Sequence, residues 1–208
     1  VADCIHTMQS AVHIPVTVKC RIGIDDQDSY ENLNQFISCV ASTGCNTFIV
    51  HARKAILQGL SPRQNREIPP LNYERVYRLK RDFPNLEIII NGGITDLTQS
   101  ALHLQQVDGV MIGREAYHNP YILAEADLRI FNKPNQALDR KEILQRFIEY
   151  ADREIKAGTQ LKHMAKHTFG LVHGQPGARH YRRFLSEQIH KSDADTRVLK
   201  DAAALIND

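Results

Sequence analysis

The 208-residue sequence has no run approaching the roughly 18 apolar residues of a membrane-spanning helix. Its opening, Val1-Ala2-Asp3-Cys4, has neither a basic segment leading into an apolar run nor a cleavage signature. A cytoplasmic location is therefore expected. Cysteine is scarce: Cys4, Cys20, Cys39 and Cys45 are spaced by 16, 19 and 6 residues, with no CxxC pair, so a disulfide scaffold is excluded and reduced thiols are expected. HxH and HExxH spacings are also missing, and no metal is expected. Charge of one sign is not in excess, since 26 basic against 24 acidic residues leave a net charge of +2. Affinity for nucleic acid must then come from where the charges sit. Repeats and low-complexity tracts are absent. The chain has no initiator Met and opens within a helical pattern. The expectation is a segment of a longer protein.

What is present is a globular composition, 42% hydrophobic and 24% charged, large enough for a substantial core. Four short apolar, β-branched runs stand out: Val16-Thr17-Val18-Lys19, Phe48-Ile49-Val50-His51, Ile88-Ile89-Ile90-Asn91 and Val110-Met111-Ile112-Gly113. Continuous rather than alternating apolarity points to strands covered on both faces, as in a parallel sheet. Helical patterns lie between them, over about 29–42, 72–82 and 96–105. Alternating strands and helices predict an α/β fold of βα units. Beyond the Pro/Asn segment at 132–135 the pattern turns wholly helical, with predicted helices at 139–157, 161–172, 178–190 and 196–206. The expected domains are 1–131, four βα units, and 136–208, all helical.

Each strand run ends in a polar or glycine-bearing cluster, and in a parallel sheet these ends share one rim. Asn91-Gly92-Gly93 lets backbone N–H groups approach an anion, with the positive end of a helix expected from about Thr95. Gly113-Arg114 adds a second close-approach glycine and a guanidinium suited to phosphate. Together they predict a phosphate site. Lys19 at the end of an apolar run is costly unless its ammonium reaches a cavity or a partner, and a bound anionic cofactor would serve; snorkelling to solvent is the alternative. His51, beside Arg53 and Lys54, reads either as a satisfied structural histidine or as an anion-facing group. The helical part hides a second signal. From Ile155 to Ser186 there is no Asp or Glu, while Lys156, Lys162, Lys166, Arg179, Arg182 and Arg183 are basic. Lys162/Lys166, His163/His167 and Arg179/Arg182/Arg183 have helical-face spacing, with Tyr181 and Phe184 interleaved. This is either a solvated helix face or a surface for nucleic-acid phosphates.

Six segments together resemble the tRNA-dihydrouridine synthases, in particular the A-type bacterial subfamily: VTVKCRIGID (16–25), HARK (51–54), GLSPRQNREIPP (59–70), NGGI (91–94), GREAYHNP (113–120) and PGARHYRRFLSE (176–187). The likeness runs over nearly the whole chain. It implies the C-terminal half of a (β/α)8 TIM barrel followed by a helical tRNA-binding domain. The implied enzyme is an FMN-dependent oxidoreductase that uses NADPH to reduce D-loop uridines, at positions called 20 and 20a, to 5,6-dihydrouridine. The resemblance assigns Lys19, His51, Asn91, Gly92, Gly93, Gly113 and Arg114 to FMN, and Arg66, Arg179 and Arg182 to the tRNA-binding region. Arg53 and Lys54 are expected to contact uracil or neighbouring phosphates, and Arg183, on the basic helical face, to contact tRNA.

A full barrel has eight strands and about 250 residues, against four strand runs here. The family's first half-barrel carries the cysteine that protonates uracil C5, and no cysteine of this chain lies in a matching motif. The chain alone is therefore expected to be incapable of turnover, with exposed sheet edges that favour self-association. Two other functions stay open. One is an RNA-binding module without catalysis; the other is a different FMN-binding barrel oxidoreductase acting on a small molecule.

Overall fold

A computed structural model describes residues 1–206; the last two residues of the expected 136–208 domain lie outside the described residues. The chain forms two compact units, Val1–Gly113 and Arg114–Asp208. This division falls before residues 114–131, which the sequence reading places with the first domain.

The first unit opens with helix α1 (Ala2–Ala11), then alternates β1 (Val18–Arg21), α2 (Tyr30–Ala41), β2 (Thr47–His51), α3 (Tyr73–Asp82), β3 (Glu87–Asn91), α4 (Leu97–His103) and β4 (Gly109–Met111). The four strands make one parallel sheet in the order β1-β2-β3-β4. Doubly wound sheets reverse strand order at a switch point, and this one does not. The α/β layering is consistent with part of a (β/α)8 barrel. Polar side chains start the helices: Ser29, Asn72 and Asp96 accept from Asn32 N (3.1 Å), Arg75 N (3.0 Å) and Gln99 N (2.8 Å).

The core lies between the sheet and its helices. Phe48, Val50, Ile88 and Ile90 are fully buried, as are Ile37, Val76 and Leu79. Burial of each large apolar side chain contributes about 1.5–3 kcal/mol. The opposite face of the sheet carries Lys19, Arg21, Ile49, His51, Ile89 and Asn91, all half-buried or exposed. Burial therefore alternates along β2 and β3, although their sequences are continuously apolar.

The described elements of the second unit are helical: α5 (Arg114–His118), a 3-10 segment (Pro120–Glu125), α6 (Ala126–Arg129), α7 (Arg140–Lys156), α8 (Leu161–Ala165), a 3-10 turn (Lys166–Thr168), α9 (Ala178–Gln188) and α10 (Thr196–Ala203). Asp139 and Glu142 close a capping box at the start of α7. Leu144, Ile148, Leu161, Val172, Tyr181, Leu185 and Leu199 form a separate core. Within it, Thr168 Oγ1 donates to the Ala165 carbonyl (2.7 Å), so the Tyr181 hydroxyl, 2.7 Å from that oxygen, is the donor to Thr168. Burial pushes the Tyr181 phenol up to about 12.

The continuous helix expected over 161–172 is instead α8 plus a 3-10 turn. The Thr168 hydroxyl takes up a carbonyl in the final turn, and Gly170 lies so close to the Tyr117 carbonyl that a Cβ would collide with it. The Lys162/Lys166 and His163/His167 pairs thus span the junction of α8 with the 3-10 turn. Among the described residues no helix is long and apolar enough to cross a membrane.

Candidate functional site

Strand register sets the level of each side chain on the sheet's C-terminal rim. Arg21, His51, Asn91 and Met111 are partners in one row across the four strands. Lys19 lies in the row beneath, level with Ile49, Ile89 and Gly109. Because side chains alternate along a strand, both rows project from the face away from the helices. Lys19 thus stands two residues before the end of β1, and Arg21 ends the strand. The register with β2, rather than the apolar run at 16–19, fixes that end.

The Asn91-Gly92-Gly93 turn requires glycine. Gly92 and Gly93 have φ of 118° and 69°, a region costly for other residues. A Cβ on Gly92 would come within 3.0 Å of His51 Cδ2 and 3.1 Å of its Nε2, so the imidazole lies against this turn. A Cβ on Gly93 would press to 2.7 Å from Leu71 Cδ1. Tyr73 Oη donates to the Gly92 carbonyl (2.7 Å), and Asn91 Nδ2 donates to the Met111 carbonyl (2.8 Å), tying the turn to β4. At Gly113 a Cβ would meet only Asn91 Nδ2 at 3.9 Å, so the space there is open. Lys19 excepted, the unit's predicted cofactor residues thus converge at the ends of β2, β3 and β4.

The helix expected after the glycine turn begins with an acidic cap. α4 begins at Leu97, and the Asp96 carboxylate caps it by accepting from Gln99 N (2.8 Å). An acidic cap occupies one of the free N–H groups, and its charge opposes a second anion there. Arg114 is exposed at the first position of α5, in the second unit.

Cations cluster nearby. Burial, then the Arg53 and Arg66 charges, hold the Arg21 guanidinium below its ordinary range. Arg21 Nη1 donates to the carbonyls of Lys54 and Asn65, both at 2.9 Å. Burial and Arg21 likewise lower Lys19, against a smaller opposing effect of Cys20. Lys19, Arg21 and Phe36 line a cleft of about 590 Å³. Arg53 Nη1 donates to the carbonyls of Glu67 (3.2 Å) and Pro69. Its buried Nε has no hydrogen-bond partner among the described residues. Lys54 is engaged otherwise: it pairs with Asp28 (3.1 Å) and donates to the Asp25 carbonyl (3.2 Å), clamping the β1–α2 loop. Arg66 is exposed in the 3-10 turn Gln64–Arg66.

In the second unit, Arg179 is exposed and Arg182 half-buried. Arg183 pairs with Glu187 at 2.9 Å, four residues along α9. The predicted trio is therefore unequal, since only the first two lack an ion pair among the described residues. Sequence reasoning passed over Arg21 and Tyr73. Arg21 could have been found by carrying the strand two residues further; Tyr73 left no signal, because its role depends on where α3 crosses the Gly92 turn.

The dihydrouridine synthase (Dus) family model matches residues 1–207. The chain is 54% identical over 207 residues to the tRNA-dihydrouridine(20/20a) synthase of Vibrio cholerae serotype O1, covering 99% of this chain and 63% of that protein. It is 55% identical over 209 residues to the protein of the same name from Escherichia coli (strain K12), with 100% and 61% covered. The Shewanella oneidensis protein of that name is 54% identical over 200 residues, with 96% and 60% covered. The chain thus spans about three fifths of the length of these relatives, and with its glycine-turn rim it belongs to the dihydrouridine synthase family.

Proposed function

We propose that this chain serves the reduction of uridine to 5,6-dihydrouridine in the D-loop of tRNA, at positions 20 and 20a, with FMN as cofactor and NADPH as reductant. The observation that carries this is the rim formed by Lys19, Arg21, His51 and Asn91 with the Gly92-Gly93 turn and the open space at Gly113. The residues fit a flavin phosphate, because Gly113 leaves open space beside Asn91 and the positive-φ Gly92-Gly93 turn exposes backbone next to it.

In this function Gly92, Gly93 and Gly113 hold the phosphate through backbone N–H groups. Arg114, next in the chain, adds charge. Lys19 and Arg21 would supply positive charge to the bound cofactor. His51, packed against the Gly92 turn, would help hold the cofactor, and Asn91 braces the turn against β4. Bound flavin supplies hydride transfer to C6 of a uracil turned out of the RNA stack. Arg53 and Arg66 offer charge to nearby phosphates. Lys54, neutralised by Asp28, holds the β1–α2 loop in place. Proton donation to C5 is assigned to none of Cys4, Cys20, Cys39 or Cys45. Burial first of all pushes the Cys20 thiol up to about 11, which makes it a poor acid at neutral pH. The chain alone is proposed to lack turnover, its sheet being one half of a closed (β/α)8 barrel. Arg179 and Arg182 of the helical unit contact tRNA phosphates, and Arg183 does so less because Glu187 holds it.

Titration with FMN tests this. Flavin fluorescence should be quenched on binding, Lys19→Met should weaken binding about tenfold, and Gly93→Val should abolish it. Unquenched flavin with the wild-type protein overturns the assignment.

A further inference from the structure

The helical unit contains a cavity of about 400 Å³ whose lining the charge pattern alone does not explain. Tyr117, Lys166, His167, Phe169, His173 and Arg182 contribute to it, and no lining residue is acidic. Lys166 and Arg182 have no carboxylate partner among the described residues, unlike the neighbouring Arg183. Tyr117, 55% exposed, is held rather than loose. Its hydroxyl lies 2.9 Å from His167 Nδ1, and the His118 and His167 rings meet it in T-shaped contacts at 5.6 and 5.9 Å. Gly170 makes this arrangement possible, since a Cβ there would strike the Tyr117 and His118 carbonyls.

We propose that this cavity is a nucleotide subsite for single-stranded RNA: one base stacks against Tyr117 and Phe169, and Lys166 and Arg182 hold the adjoining phosphate. Two cations without carboxylate partners select an anion. Aromatic rings beside them select a base carried next to that anion, which inorganic phosphate lacks. The subsite extends the tRNA reading above and rests on it for its physiological ligand. Its chemistry is sequence-tolerant, because every base offers a π face.

The test titrates the protein with fluorescein-labelled octauridylate, and separately with tRNA, over a series of salt concentrations. Tyr117→Ala should weaken octauridylate binding at least about fivefold without changing the salt slope, because stacking is uncharged. Tyr117→Phe should bind as wild type. Arg182→Ala and Lys166→Ala should each weaken binding and flatten the slope by about 0.7. Circular dichroism and thermal melting check that each variant folds. The proposal is overturned if folded Tyr117→Ala binds octauridylate like wild type, if wild type does not bind it, or if inorganic phosphate competes as well as uridine monophosphate does. Salt-dependent tRNA binding in those cases leaves the tRNA reading intact. Tyr117-dependent octauridylate binding without tRNA binding upholds the subsite and removes that reading.

Discussion

At the scale of single residues, buried titratable groups make the fold sensitive to pH. His103, 6% exposed, has its Nδ1 2.7 Å from the Tyr77 hydroxyl and its ring 4.5 Å from that of Tyr73. Burial lowers its pKa below the ordinary value. As pH falls below about 6.5 the unfolded chain takes up a proton that the folded one refuses, so stability declines towards pH 5. Urea unfolding across that window should show the loss, and His103→Asn should flatten it. The same scale shows how much of the site was legible. Asn91, Gly92, Gly93 and Gly113 stand out in the chain because two glycine turns follow apolar strands; either alone would serve as an ordinary turn, and the fold places the two together. The state of Lys54 was not legible. Asp28, which neutralises it, is separated from it by a helix and a strand, and no local pattern announces a pair made across a loop.

At the scale of elements, the helices expected at 29–42, 72–82, 96–105 and 139–157 were legible to within two residues from apolar spacing, and in the structure Ser29, Asn72, Asp96 and Asp139 cap them. α8 was not legible. Apolar spacing continued through 161–172, but a threonine hydroxyl and a packed glycine ended the helix, and periodicity does not register either. Gly177 is the opposite case, where one residue governs an element boundary. It begins α9 at φ 79°, and a Cβ would run into the Leu205 carbonyl just after α10. Gly177→Ala should cost more than about 2 kcal/mol, since both the backbone angle and the packing oppose it. Chemical denaturation checks this; an unchanged midpoint would mean that the tail after α10 yields freely.

At the scale of the whole chain, near neutrality conceals the acid-free stretch of the helical unit, and mean composition conceals a sheet whose outer strands each pair on one side only among the described residues. Such edges, with Ile49 and Ile89 only half-buried on the open face, invite pairing. Sedimentation velocity should show association that grows with concentration; a single monomeric boundary throughout would contradict it. The alternation of strand and helix revealed the layering in advance, whereas which face of the sheet stays open emerges only in three dimensions. One consequence follows from the row Arg21, His51, Asn91, Met111. Three interstrand steps make it a ruler of roughly 14 Å, with charge at one end and the glycine cradle towards the other. A compact anion can satisfy one end, but a ligand must be elongated to use both, so molecular length joins charge as a criterion for what binds.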